Sequence, residues 1–259
     1  MPELPDLQVF SRNLHRKLKG KTVEKAKISR NRKLTFSEEE LNKKIQNQNL
    51  KEVRREGKEL FLDFANGNVL SIHLMLNGEL HIIEKGNGPQ YAIIEFIFKD
   101  DSRLVLSDRR GMAKVALNPE KSAGIDALSS ELDQKFLMER LSQKKTAIKN
   151  FLLDQQIIKG VGNAYADEIL WDAGISPFSI SNKIPENKID DLIKSINRVL
   201  KNAEKQIRNK YPDITFGEVR DFLYIHNPKK KESPDGALIH TQKIGSRKTY
   251  YTDEQELYQ

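Results

Sequence analysis

The chain has 259 residues, with 44 Lys+Arg against 37 Asp+Glu for a net charge of +7, and no cysteine. The missing cysteines exclude disulfides, thiolate metal sites, iron–sulfur clusters and cysteine nucleophiles, and no apolar run reaches the ~18 residues of a membrane span. At ~150 residues per domain the length predicts one large or two medium domains, and 37% hydrophobic against 31% charged residues describes a globular chain with a wet surface.

The first segment with a helical period is Pro5 to Leu18, where Pro5 suits the first turn and Val9, Leu14 and Leu18 fall near one face. Ser37-Glu-Glu-Glu40 is a capping-box start for a short second helix through Ile45. The period then changes to two. Glu59–Phe64 and Val69–Leu74 flank Ala65-Asn-Gly-Asn68, a hairpin signal, and 79–83, 91–98, 103–107 and 114–117 continue the strand pattern. After Pro119 the pattern is helical, with candidates at 131–142, 146–155, 163–173 and 186–209, and Ile157–Gly162 as a tight connector between the middle pair. From Asp221 the chain is short-stranded and polar again, with turns at Gly236 and Gly245. The expected fold is α+β and multidomain: an N-terminal β-sandwich with flanking helices over 1–120, a helical domain over 129–221 and a small β-hairpin finger over 222–259.

The basic balance makes a polyanion a plausible partner. The charge is spread over both halves in small clusters (Arg54-Arg55, Arg109-Arg110, Lys229–Lys231, Arg247-Lys248), so an anion site has to be assembled by folding. Met1-Pro2-Glu3 carries a chemical option. Removal of Met1 exposes a prolyl amine with a pKa of roughly 7.7–8.0, neutral enough to attack an electrophilic sugar carbon, with Glu3 beside it to move protons. A retained Met1 makes that nitrogen an amide. Lys58 follows a glycine before a strand and suits either a sheet edge or a phosphate. His73 lies in an apolar strand with no metal-ligand spacing around it. Gly160-Val-Gly162-Asn163 opens a helix behind a glycine turn, a geometry suited to phosphate, but the third glycine of a dinucleotide fingerprint is missing.

Together these pieces resemble the formamidopyrimidine-DNA glycosylase and endonuclease VIII family. Pro2-Glu-Leu-Pro-Asp6, the Arg54–Leu60 segment, His73-Leu-Met-Leu-Asn-Gly78 and Asp108-Arg-Arg-Gly-Met-Ala113 resemble its N-terminal motifs. Lys144-Lys-Thr-Ala-Ile-Lys149, Leu153-Asp154 and Gly160 to Pro177 resemble its helix–two-turn–helix, and Gly245-Ser-Arg-Lys-Thr-Tyr-Tyr251 resembles the tip and return strand of its finger. The resemblance covers essentially the whole chain in order. It implies a base-excision DNA glycosylase with lyase activity, in which Pro2 attacks C1′, Glu3 assists protonation, Lys58 serves near the lesion in β-elimination, and Arg247 assists δ-elimination by charge stabilisation. Asn163 and Arg247 are implied to grip phosphates, and Lys149 to contact DNA. Leu76, Arg110 and Met112 stand where the family places the trio that fills the gap left by a flipped base.

Departures accompany the match. The family finger binds zinc through two Cys-x-x-Cys pairs; here those positions hold Glu232, Asp235, Thr252 and Gln255, a poor zinc set. A zincless finger held by strand pairing and by Ile239, Tyr250 and Tyr251 is therefore expected, with no metal and no cofactor. The segment between Arg220-Asp-Phe222 and Ile225-His-Asn227 is short where the formamidopyrimidine branch has a loop over a flipped purine, which turns attention to oxidised pyrimidines or hydantoins. The implied partner is double-stranded DNA holding damaged bases or abasic sites, with no membrane, and the protein is expected to be a cytoplasmic, nucleoid-associated monomer. A silent damaged-DNA binder on the same scaffold, and a basic RNA- or ribosome-binding protein, are the alternatives from other classes.

Overall fold

The computed structural model describes residues 1–30 and 33–259. The chain divides into two compact units: residues 1–121 with 207–218, and residues 122–206 with 219–259. No described helix is long and apolar enough to cross a membrane.

Unit 1 opens with α1 (Leu4–Leu18), followed by β1 (Val23–Ile28), α2 (Glu38–Ile45) and seven strands: β2 (Leu50–Glu56), β3 (Glu59–Phe64), β4 (Val69–His73), β5 (Glu79–Ile83), β6 (Ala92–Phe98), β7 (Arg103–Ser107) and β8 (Lys114–Leu117). The strands form two antiparallel four-stranded sheets, ordered β1-β6-β7-β5 and β2-β3-β4-β8. The sandwich is the expected one. Its core takes Leu7, Phe10, Leu14 and Leu18 from one face of α1 together with apolar side chains of both sheets, including Phe64, Phe96 and Phe98. Each such side chain, fully buried, contributes roughly 1.5–3 kcal/mol. Ser37 caps α2 by accepting the Glu40 N–H at 3.1 Å.

The sequence pattern assigns no strand to 23–28 or 50–56, yet both are edge strands. Each carries a bulge, between Val23 and Lys25 and between Leu50 and Glu52. The extra residue spaces the buried positions Val23 and Ala26, and Leu50 and Val53, by three instead of two, which hides the strand period.

Unit 2 contains β9 (Ile125–Asp126), α3 (Gln134–Ser142), α4 (Ile148–Leu153), β10 (Ile158–Lys159), α5 (Asn163–Asp172) and most of α6 (Glu186–Lys210), then the hairpin β11 (His240–Ile244) and β12 (Arg247–Tyr251). Helix α3 starts later than position 131 because Asp133 accepts the Phe136 N–H at 2.8 Å. Helix α4 is shorter than 146–155 because Ala147 bridges to Ile180 and the Thr146 carbonyl accepts from Ser181. The stretch after α6 belongs to unit 1, where Asn13 donates to the Ile214 carbonyl at 2.8 Å and the Thr215 hydroxyl to the Leu80 carbonyl at 2.7 Å.

Candidate functional site

In unit 1 the chain start is built into α1. Pro2 and Glu3 are buried, and the Glu3 N–H donates to the Asp6 carboxylate at 2.9 Å, the returning half of a capping box. The Met1 ammonium pairs with Glu218. Lys58 stands at the tip of the β2–β3 hairpin, where Glu56 pairs with Glu59 and Gly57 takes the left-handed φ of 57°. Arg55 ties this hairpin to α1: its Nε donates to Gln8 at 2.7 Å and its Nη1 to the Gly57 carbonyl at 3.2 Å.

Two crossovers join the sheets side by side. The turn 74–78 leads from β4 to β5, and the turn 108–113 leads from β7 to β8. Because His73 pairs with Lys114 and Glu79 with Ser107, the two turns emerge at the same end of the sandwich. They carry Leu76, 51% exposed, and Arg110 and Met112, both exposed. Exposed apolar side chains on adjoining turns are unusual enough to call for a partner. Both turns are closed by their own residues. The Gly78 N–H reaches the Leu74 carbonyl at 2.8 Å, and a side chain at 78 would place its Cβ 2.5 Å from that oxygen. His73 Nδ1 accepts the Met75 N–H at 3.0 Å, so the ring is neutral; burial, then Lys58 and Lys114, lower its pKa to about 4. The wholly buried Asp108 carboxylate accepts the N–H groups of Arg110, Met112 and Ala113, each at 2.8 Å. That residue fixes the turn which presents Arg110 and Met112.

In unit 2 the two turns between α4 and α5 are clamped by polar side chains. The Asp154 carboxylate accepts the Gln156 N–H at 3.0 Å. The Gln155 amide donates to the carbonyls of Leu153 and Val161 and accepts the Gly160 N–H. Gly160 has φ 106°, and Gly162 precedes α5 with no side chain to cap it. At the start of α5 the Asn163 amide donates to the Lys248 carbonyl at 3.0 Å, while its buried Oδ1 has no hydrogen-bond partner among the described residues. Lys248 follows Arg247, which is exposed next to the left-handed turn at Gly245. The start of α5 thus fixes the strand that displays the guanidinium.

Lys149, expected to contact DNA, is engaged inside unit 2. It has no exposed surface; its ammonium lies 2.7 Å from Asp167, 2.9 Å from the Thr249 hydroxyl and 3.2 Å from the Lys248 carbonyl. Its chemistry is used on the finger, not on solvent. The pattern of residue types missed the partners of this pair. Asp167 also meets the His226 ring at 2.7 Å and the Tyr250 N–H at 3.1 Å. Glu168 accepts the N–H groups of Tyr224, Ile225 and His226. Burial pushes the Glu168 carboxyl up, against those three bonds, which favour the carboxylate. Two adjacent acids in the middle of α5, flanked by apolar residues, were the available signal.

The finger's metal positions fail the test of fit. The Thr252 N–H donates to the Gln255 side-chain oxygen at 2.8 Å, and the Gln255 amide donates to the Ile175 carbonyl at 2.8 Å. Glu232 pairs instead through its backbone with Leu238. A neutral amide already engaged in such bonds and a neutral hydroxyl do not make a zinc site. Tyr250 packs on His226 and Tyr251 edge-on against Phe178, as a hairpin held by side-chain packing requires.

Residues 1–115 match the family model described as formamidopyrimidine-DNA glycosylase N-terminal domain, and residues 123–210 match the H2TH domain of the same enzyme. A formamidopyrimidine-DNA glycosylase from Lactobacillus gasseri is 31% identical, over 97% of both chains. Among solved structures, the Lactococcus lactis Fpg in complex with abasic-site DNA superposes with a TM-score of 0.87 at 25% identity, covering 98% of this chain and 100% of that one. The wild-type L. lactis Fpg with DNA containing an oxidised pyrimidine gives the same TM-score and identity, covering 97% and 98%.

Proposed function

The chain belongs to the formamidopyrimidine-DNA glycosylase family and is a DNA glycosylase acting on damaged DNA, and from that premise we propose that it also carries an abasic-site lyase activity working through the N-terminal proline. Its substrate is duplex DNA holding oxidised bases or abasic sites, and it acts as a cytoplasmic monomer. After Met1 is removed, the lone pair of the Pro2 amine attacks C1′. The bond to the base breaks with its electron pair going to the base, which takes a proton with help from Glu3. The Pro2 nitrogen then gives up its proton and its lone pair opens the sugar ring: the C1′–O4′ bond breaks with its electron pair on O4′, which is protonated with help from Glu3. The resulting iminium acidifies C2′; loss of that proton expels the 3′ phosphate, with Lys58 nearby, and a second elimination releases the 5′ phosphate. Arg247, permanently charged, stabilises the phosphate leaving in that step. Asn163 holds the backbone. Leu76 and Met112 fill the gap left by the extruded nucleotide, and Arg110 meets the base left without a partner.

The observation that carries this reading is the build of the N-terminus, with Pro2 buried directly before a capped helix and Glu3 and Asp6 buried beside it. Borohydride reduction on abasic-site DNA tests it, with protein whose mass confirms loss of Met1. The expected result is a covalent adduct mapping to Pro2. No adduct, or one mapping elsewhere, sinks the lyase reading and leaves a damaged-DNA binder.

A second reading concerns the lesion. The short segment where the formamidopyrimidine branch caps a purine is tied down here, residues 224–226 donating their N–H groups to Glu168. That favours oxidised pyrimidines or hydantoins over 8-oxoguanine. Comparing initial excision rates on 8-oxoguanine, formamidopyrimidine, thymine glycol and hydantoin duplexes decides it; fastest excision of 8-oxoguanine overturns it.

A further inference from the structure

Unit 1 holds a cleft of about 470 Å³ in which, of the lining residues, only Arg110 has a role above. Arg30, Lys33, Ile93, Arg109, Arg110, Gly111 and Ala113 line it. Four of these seven are cations and none is an acid. Together they carry a charge of +4, in a chain whose net charge is +7. None of the four has a carboxylate partner among the described residues. The nearest acid in sequence, Asp108, is buried and engaged by three N–H groups of its own turn. Arg30 is held over the Tyr91 ring at 5.1 Å, and Tyr91 is itself exposed. Crowding like charges without counter-ions raises the energy of the empty cleft, and a bound polyanion reverses that sign. Gly111, at φ 62°, leaves one wall without a side chain.

We propose that this cleft binds backbone phosphates of the DNA strand opposite the lesion, through Arg30, Lys33 and Arg109. The strand assignment follows from continuity. The turn that supplies Arg109 also supplies Arg110 and Met112, so a phosphate seated beside Arg109 belongs to the strand whose unpaired base meets Arg110. The inference rests on the reading of this chain as a duplex-DNA enzyme. It adds a grip on the undamaged strand, separate from that of Asn163 and Arg247. Such a grip makes the protein prefer a lesion in duplex over the same lesion in a single strand.

The experiment measures affinity for a duplex with a stable abasic analogue over a range of salt concentrations. Neutralising a phosphate contact makes the log–log slope shallower by ~0.9. The Arg30→Ala/Lys33→Ala variant, checked for an unchanged thermal melt, is expected to lose ~0.9–1.8 of slope on the duplex and nothing on the single-stranded analogue. Arg109→Ala is a second, independent variant with the same expected direction. Neutral methylphosphonates placed near the lesion in the opposite strand should weaken the wild type more than the double variant, which keeps only Arg109. An unchanged slope in both variants overturns the proposal. So does a wild type sensitive only to methylphosphonates in the damaged strand. Borohydride trapping by the wild type is the control that separates the two failures: a wild type that traps while the variants keep its slope refutes the cleft alone.

Discussion

In unit 1 the exposed side chains stand on turns whose hydrogen bonds close within a few residues: Asp108 to positions 110, 112 and 113, His73 to 75, Gly78 to Leu74. In unit 2 the exposed Arg247 depends on partners far along the chain, since Lys149 and Asn163 reach residues 248 and 249 across separations of 85 to 100 positions. Local closure makes each turn a separate device, whose loss is confined to what it presents. Distant closure makes the finger a shared structure, in which one buried group supports several others. The same division separates the residues proposed for chemistry from the finger arginine: Pro2, Leu76 and Met112 stand on locally closed backbone, and Arg247 beside a buried ionic network.

The largest expected effect breaks the chemistry without touching that network. Pro2→Gly should slow base excision by on the order of 10³ or more, while the urea melt stays within ~0.5 kcal/mol of wild type; a large fall in stability would mean that the N-terminus is structural. Next, Lys149→Ala leaves Asp167 buried without its cation, which should cost about 3–5 kcal/mol in a urea titration and strip hydrogen-exchange protection from the finger. A loss under ~1 kcal/mol would show that strand pairing alone holds the hairpin and would erase the contrast between the units.

A smaller effect tests the local side. The His73 pKa is lowered in the folded chain from 6.5 to about 4, so the unfolded chain takes up the proton first as the pH falls. The stability contributed by the neutral ring is complete above pH 6.5 and is lost as pH falls toward 4. His73→Gln should flatten the decline of stability over that window by about 3 kcal/mol, read from melts at several pH values. Parallel curves for variant and wild type would refute it. The smallest expected effect is zero: dialysis against a chelator should leave excision and the melt of the finger unchanged, and a loss restored by zinc would overturn the account of positions 232, 235, 252 and 255.

The same distinction explains what could be read in advance. Local signals survived translation into structure: the Ala65–Asn68 hairpin, the Ser37 cap, the glycine turns before Asn163. Motif order identified the family. Strands β1 and β2 escaped because a bulge in each gives a spacing of three, and because Lys and Glu crowd these edge strands. The surroundings of Lys149 were hidden for a different reason: its ammonium meets Asp167 and the Thr249 hydroxyl of strand β12, tertiary partners that no short window contains.

The finger without thiols has a chemical corollary. Oxidants that modify bases also oxidise thiolates, first to sulfenic acid and then irreversibly, so a thiolate finger is exposed to the agents whose damage it helps to clear. Here Gln255 and Thr252 close the hairpin with an amide and a backbone N–H, groups that such oxidants leave intact. Oxidation falls instead on exposed thioethers such as Met112 in unit 1 and Met138 in unit 2, where gaining an oxygen turns an apolar side chain polar and a reductase can reverse the change.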